Sequence, residues 1–416
     1  MSSKKRHKKR NFLIIMILMF ASASAALAIN AAGNEKELNK NSNEKEPQQN
    51  SNEEPKQEEV EKNPDVTINI AATGDIMFHP SQIEGAYDES TNTYDFRNSF
   101  KAVKDIFQSA DLTIGNFEGT TAGNETYAYQ GYPLFNAPDE ALEAIKDAGF
   151  DVLSTANNHC LDTRKAGIIR TVEQISKQGM DSIGTFSKKP ETRVLMKDVK
   201  GIKIAFMSYT EMVNGLEAYM DPADLDVMVN IIDETKMKED IAYAKEQNAD
   251  LIVFYMHWGI EYARTQSAFQ EQTAEMLLSE GVDIILGSHP HVIQPSQTIE
   301  LNGEKKFVAY SMGNFLSNQR VETLVPYGMS AEEAKYTEDG VIINIEIEKN
   351  GETGEVSIKD IDYIPLWVYK GTDENGSPEH IVYPIDDFVE SDDLNDNSKT
   401  RMNRSYKDTM AQMDNN

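Results

Sequence analysis

The chain has 416 residues, with Lys+Arg 40 against Asp+Glu 69 and a formal net charge of −29. A single cysteine, Cys160, excludes an intrachain disulfide framework and a cysteine-rich zinc site, and the acidity excludes nucleic acid as a partner, since phosphate binding needs clustered Lys/Arg that the chain lacks beyond its first ten residues. An apolar fraction of 39% is low for a wholly globular chain, so part of the sequence lies outside any packed core.

Residues 4–10, KKRHKKR, hold six Lys/Arg and lead into an uncharged apolar run, residues 12–29. Without those six bases the remainder carries 34 against 69, a net −35. Basic flank, apolar run and acidic remainder predict a cytoplasmic N-terminus and an extracytoplasmic remainder. The run is at the lower limit for a spanning helix, and Ala26-Leu27-Ala28 offers an A-x-A cleavage site. Residues 1–32 therefore read either as a cleaved signal peptide, giving a secreted protein, or as a single membrane anchor through 12–29. Residues 33–65 contain almost nothing apolar and read as a disordered polar tether. Residues 386–416 read as a polar tail, in which SYKDTMAQM (405–413) can form a short helix, and this leaves 66–385 as the folded domain.

Within that domain, 66–75 (VTINIAATGD) is expected as a strand, 98–111 as an amphipathic helix and 111–118 (DLTIGNFE) as a strand. A helix over 137–150, a strand over 151–159 and a helix over 163–179 that closes on Gly179 follow. Then come a hairpin over 193–209, a helix over 233–249, a strand over 249–259, a helix over 267–281, and strands over 282–291 and 305–315. Residues 340–368 alternate with period two around Asn350-Gly351 and are expected to be antiparallel. Repeated βα units with near-continuous apolar strands imply buried parallel sheet, and the hairpins add antiparallel strands, so the class is α/β with mixed sheets.

The unusual polar residues fall where those strands stop, the place where open α/β sheets bind ligands. Asp75 follows IAATG, Asn116 and Glu118 follow LTIG, Asn158 and His159 lie beyond VLSTA, His257 follows LIVFYM, and His289 and His291 follow IILGS. Five of seven histidines, the fifth being His79, occupy such turns, a concentration that packing does not explain. In a turn the two rings of His289-Pro290-His291 can converge, and neutral imidazole is the commonest protein metal ligand. Asp75 and Glu118 add anionic oxygen, and a mixed N/O shell without thiolate suits one or two Mn, Fe or Zn ions. Such a cation lowers the pKa of bound water from about 15.7 to about 7 and so creates a nucleophile without a reactive Ser or Cys. His159, beside the candidate ligand Asn158, is placed to protonate a leaving oxygen. Arg264 can clamp an anionic group of the substrate by a bidentate contact. Cys160 reads as a small buried residue.

The ordered set TGDIMFH, GNFEG, ANNHCLD, HWGIEY, GSHPHVIQP and YSMGNF resembles the poly-gamma-glutamate capsule biosynthesis (CapA-type) proteins of the calcineurin-like metallophosphoesterase superfamily. The resemblance implies a four-layer αββα sandwich of two mixed sheets with the site at one edge. It implies Asp75, Asn158, His257, His289 and His291 as metal ligands and His159 as the group assisting the leaving oxygen, with Asp162 in the same motif and Asn314 in a family-like segment lining the site. Two departures stand out. Three residues, not one, separate Asp75 from His79, and Asn116 stands where the superfamily has a bridging Asp, so either Glu118 substitutes or the second metal binds weakly. Two functions follow from the resemblance. One is a metal-dependent hydrolase of the phosphoesterase type acting on an anionic envelope polymer or its precursor. The other is a non-catalytic accessory protein that binds poly-gamma-glutamate or another envelope polymer for assembly or export, alongside membrane-bound capsule synthesis partners.

Overall fold

A computed structural model describes residues 63–413. The expectations for residues 1–32, the apolar run 12–29 and nearly all of the tether fall outside the described residues. Among the described residues no helix is long and apolar enough to cross a membrane.

The strands, in chain order, are β1 (Val66–Ile76), β2 (Tyr87–Asp88), β3 (Thr93–Tyr94), β4 (Leu112–Phe117), β5 (Val152–Ser154), β6 (Asp181–Ile183), β7 (Leu195–Val199) and β8 (Ile202–Thr210). They continue with β9 (Leu251–His257), β10 (Ile284–Ser288), β11 (Ile293–Leu301), β12 (Glu304–Met312), β13 (Asn314–Leu316), β14 (Asp339–Lys349), β15 (Val356–Thr372) and β16 (Pro378–Pro384). One sheet has the order β16-β15-β14-β1-β4-β5-β6, with β13 parallel to the end of β1; the other has the order β11-β12-β10-β9-β8-β7, and β2-β3 form a small separate hairpin. In both large sheets the central βα strands are parallel and the hairpins at the flanks are antiparallel.

The layering follows from strands that are apolar on both faces. In β9, Leu251, Val253 and Tyr255 enter the core between the sheets, while Ile252, Phe254 and Met256 meet the helices outside. Ile68, Ile70 and Ala72 of β1 face that same inter-sheet core, and Ala71 faces outward. Helix Glu140–Ala148 covers the first sheet through Leu142 and Ile145. Helices Glu234–Glu246 and Ala268–Ser279 cover the second through Met237, Ile241, Leu277 and Leu278. Each such buried side chain contributes about 1.5–3 kcal/mol, so covering both faces of each sheet is what stabilises it. The helix starts are coded locally: the Asp233 side chain accepts from Lys236 N, and Ser267 forms a capping box with Gln270. The result is the expected four-layer αββα sandwich of two mixed sheets.

Four details differ from the sequence reading. The expected helix over 98–111 is divided into a 3-10 turn, Arg97–Phe100, and a helix, Lys104–Ser109, whose Phe100, Val103 and Phe107 share one buried cluster. β5 stops at Ser154, and the rest of the expected strand turns away as a loop pinned by Asn157 Nδ2 donating to the Phe117 carbonyl at 2.8 Å. Asn350-Gly351 begins a longer connection, not a two-residue turn, because the Asn350 side chain accepts from the amides of Glu352 and Thr353. Finally, packed structure continues past residue 385. The C-terminal helix Asp396–Met413 buries Ser398, Met402, Ser405, Thr409 and Met413, a stripe at helical spacing whose small polar members hide it from a hydrophobicity pattern. Its Arg401 pairs with Glu322 and Glu338, and Arg404 with Asp339.

Between β12 and β13 the chain leaves the second sheet for the first. The crossing is made at Gly313, whose φ is 67°, and its carbonyl accepts from Asp75 N at 3.0 Å. A Cβ on Gly74 would lie 1.9 Å from that carbonyl oxygen, so the glycine of the TGD motif permits the contact that seats Asp75.

Candidate metal centre

Strand ends from both sheets meet at this crossing. Asp75 ends β1 directly opposite Asn116 on β4 and Asn314 on β13; Glu118 follows β4; His257 ends β9 opposite Ser288 on β10. His289 and His291 lie in the turn after β10 with φ of 99° and 57°, a left-handed backbone that costs roughly 1–3 kcal/mol per residue and brings both rings to one side. Their ring centroids are 6.1 Å apart, and that of His289 is 4.8 Å from His257. The turn is held by His289 N donating to Asp75 Oδ2 at 3.3 Å and by Tyr262 N donating to the Pro290 carbonyl at 2.7 Å.

Asp75, Glu118 and His291 each offer a ligand atom within 4.8 Å of the others, and all three are buried. His291 Nδ1 is 3.2 Å from Asp75 Oδ2 and 3.2 Å from Asn314 Oδ1, while its Nε2 lies 3.7 Å from Glu118 Oε1. His257 Nε2 is 3.0 Å from Asn158 Oδ1 and 3.9 Å from Glu118 Oε1, and its Nδ1 is 2.9 Å from Ser288 Oγ. Asn116 turns its amide nitrogen inward: Nδ2 donates to Asp75 Oδ1 at 2.8 Å, and its Oδ1 accepts from Asn157 at 3.2 Å. At the position of the superfamily's bridging carboxylate this chain therefore presents a donor.

The electrostatics are those of a site short of positive charge. Burial raises the Asp75 pKa, but the hydrogen bond and charge of His291 outweigh it and hold the carboxyl below the usual range. Glu118 is pushed well above that range by burial and then by repulsion from Asp75. Burial and then the neighbouring imidazole His291 take His289 down to about 3, and burial with His289 takes His257 well below its ordinary value. Buried Glu118 Oε1 and His289 Nδ1 have no hydrogen-bond partner. Buried polar atoms are rarely left unpaired, and two orphaned acceptors beside two carboxylates fit a divalent cation.

His159 stands at the margin of the cluster. Its Nδ1 is 2.8 Å from Asp162 Oδ2, which also accepts from Phe135 N at 2.5 Å, and the Phe135 ring meets the imidazole edge-on at 4.7 Å. Phe135 thus fixes both members of the His159–Asp162 pair.

Not every candidate lies in the cluster. His79 has its Nε2 3.1 Å from Ser317 Oγ and its ring against Phe135, outside the metal-ligand group. Arg264 is not free to clamp a substrate: its guanidinium lies over Tyr336 at 3.8 Å and donates to the Asp408 carbonyl at 2.9 Å, so an aromatic face and a helix carbonyl hold it. Asn314 faces away from solvent and orients His291, donating also to the His291 and Thr337 carbonyls. Cys160 is buried and burial pushes its thiol up to about 12, in keeping with a packing role. Sequence reasoning missed Asn157 and Ser288, although both sit inside motifs that it had singled out.

Compared with known proteins, residues 69–319 match the family described as Bacterial capsule synthesis protein PGA_cap. The PGA biosynthesis protein CapA of Bacillus subtilis (strain 168) is 29% identical over 314 residues, 73% of this chain and 74% of the relative. The Capsule biosynthesis protein CapA of Bacillus anthracis is 27% identical over 335 residues, 79% of this chain and 72% of that one. Among solved structures, a phosphatase of Mycoplasma pneumoniae superposes with a TM-score of 0.43 and 15% identity, covering 73% of this chain and 94% of its own.

Proposed function

Because the chain belongs to the bacterial capsule synthesis protein family, we propose that it is a metal-dependent hydrolase of the phosphoester type, acting on an anionic capsule or envelope polymer or its precursor. The observation that carries this reading is the convergence of buried Asp75, Glu118 and His291, flanked by His257, His289 and Asn158, around two acceptors that nothing in the protein satisfies. These six residues are the ones that would hold one or two divalent ions, with Mn, Fe or Zn suited to the donor set. A bound cation supplies Lewis acidity and neutralises charge that develops on the scissile group.

The protein's own part is positioning and proton transfer. Asp162 accepts from His159 Nδ1 and so stabilises the imidazolium, the form in which Nε2 carries a proton that can pass to the departing oxygen. Phe135 and Asn157 hold that pair in place, since Asn157 Oδ1 accepts from His159 N at 3.1 Å. His291 keeps Asp75 ionised, and Asn116 orients it by its hydrogen bond. The basic and apolar leader supports a site on the outer side of the membrane, anchored or released.

The accessory reading is favoured by one feature, the inward amide of Asn116, which weakens any second metal position. One experiment separates the two. Elemental analysis of the purified full chain is combined with hydrolysis of a chromogenic phosphoester. We expect bound metal that His291→Ala removes together with turnover, and His159→Ala to keep the metal while losing about 100-fold or more in kcat. A chain that holds no metal, or whose turnover survives both substitutions, sinks the hydrolase and leaves the accessory protein.

A further inference from the structure

Segment 318–338, which joins β13 to β14, and the loop after β9 border an open cleft of about 550 Å³. Glu261, Tyr262, Leu324, Tyr327, Met329 and Glu333 line it, and among the described residues no lysine, arginine or histidine does. Tyr262 is the wall shared with the candidate metal centre: its ring is 6.1 Å from His291, and its phenol oxygen accepts from Gln319, which in turn accepts from Asn314. Tyr327 stands 92% exposed at the mouth of the cleft, next to the αL turn at Gly328. Ile260, on the loop that carries Glu261 and Tyr262, is 62% exposed.

A cavity of this size takes a ligand fragment, and its lining chooses which. Tyrosine rings, a leucine and a methionine offer flat apolar contact, while two carboxylates offer acceptors and repel anions. An uncharged ring with an apolar face and outward hydroxyls satisfies both halves, its CH face on the tyrosines and its hydroxyls donating to Glu261 and Glu333. A γ-glutamyl chain, with a carboxylate on every residue, satisfies neither.

We propose that this cleft is a sugar subsite, holding a neutral glycosyl unit of the substrate beside the cluster that acts on the adjoining linkage. The assignment rests on the hydrolytic reading of that cluster, but its test does not require turnover. Ligand-observed NMR on the full chain in chelator, with a neutral N-acetylhexosamine trisaccharide and a γ-linked glutamate hexamer as probes, reads the cleft alone. The trisaccharide binds saturably, Tyr327→Ala weakens it about tenfold, and the hexamer does not displace it. Tyr327 is exposed, so this substitution leaves folding intact, and Glu261→Lys lets the hexamer compete for the site. No binding of the trisaccharide, an unchanged Kd in Tyr327→Ala, or displacement by the hexamer from the unsubstituted chain overturns the proposal. Saturable sugar binding in a chain without metal-dependent turnover leaves the subsite standing and sinks the hydrolase; His291-dependent turnover without Tyr327-dependent sugar binding does the reverse.

Discussion

Glu118 is the residue with most to gain from a cation. Buried against Asp75, it is forced toward its neutral form, so the folded metal-free protein binds a proton that the unfolded chain releases. The sign follows directly. A carboxyl whose folded pKa is raised costs nothing below its unfolded value, and the cost grows as pH rises from the ordinary glutamate range of about 4.5 toward the raised value. Metal-free protein should therefore lose stability through this group as pH rises above the ordinary glutamate range. Glu118→Gln should flatten that slope and raise the urea midpoint of metal-free protein at pH 7, while lowering metal affinity by about 10-fold or more. A substitution that destabilises the metal-free protein at pH 7 would show that the carboxylate is satisfied without a metal. Asn116 belongs to the same account, since its inward amide donates to Asp75 and at 3.5 Å to Glu118, stabilising the pair partially where a cation would do so fully.

At the scale of elements, the strand ends are positioned by close backbone approach as much as by side chains. Gly74 lets β1 touch the Gly313 carbonyl at the crossing between sheets, and Gly287 does the same on β10, where a Cβ would lie 2.0 Å from the Tyr310 carbonyl. Both obstacles are backbone atoms and cannot swing aside. Gly74→Ala should thus cost about 3 kcal/mol or more in urea unfolding and displace Asp75. Gly179→Ala, at a φ of 74° with nothing within 4 Å, should cost only about 1 kcal/mol. The same contrast explains what could be read from the sequence. β9 and β10 were legible because they are apolar on both faces, and helix Glu234–Glu246 because an Asp cap precedes it. The candidate ligands were legible because βα topology sends strand ends to one edge and histidine is scarce elsewhere. The full extent of the C-terminal helix and the engagement of Arg264 by Tyr336 and Asp408 were not, since they depend on contacts between segments far apart in the chain. The inward amide of Asn116 likewise depends on Asn157, 41 positions away.

Over the whole molecule, the candidate centre is a seam between the two sheets. The first supplies Asp75, Glu118 and Asn158, the second His257, His289 and His291, and the polar contacts joining them include His291 to Asp75 at 3.2 Å, His257 to Asn158 at 3.0 Å and His289 N to Asp75 at 3.3 Å. A cation held there cross-links the sandwich at an edge where the inter-sheet core gives way to polar side chains. It also offsets part of the self-repulsion of a chain that carries −35 beyond its basic leader. Binding to the folded state alone should stabilise it by about 2.7 kcal/mol at a free metal concentration of 100 Kd, or about 4 °C in Tm for a domain of this size. Divalent ions condensing on an acidic surface would also raise Tm, but without saturation at low stoichiometry and equally in every variant. His291→Ala is therefore the deciding control: calorimetric scans with and without chelator should show the metal-dependent rise in the unsubstituted chain and its loss in the variant. A rise of equal size in both would place the stabilising ions on the surface and leave the seam without a metal.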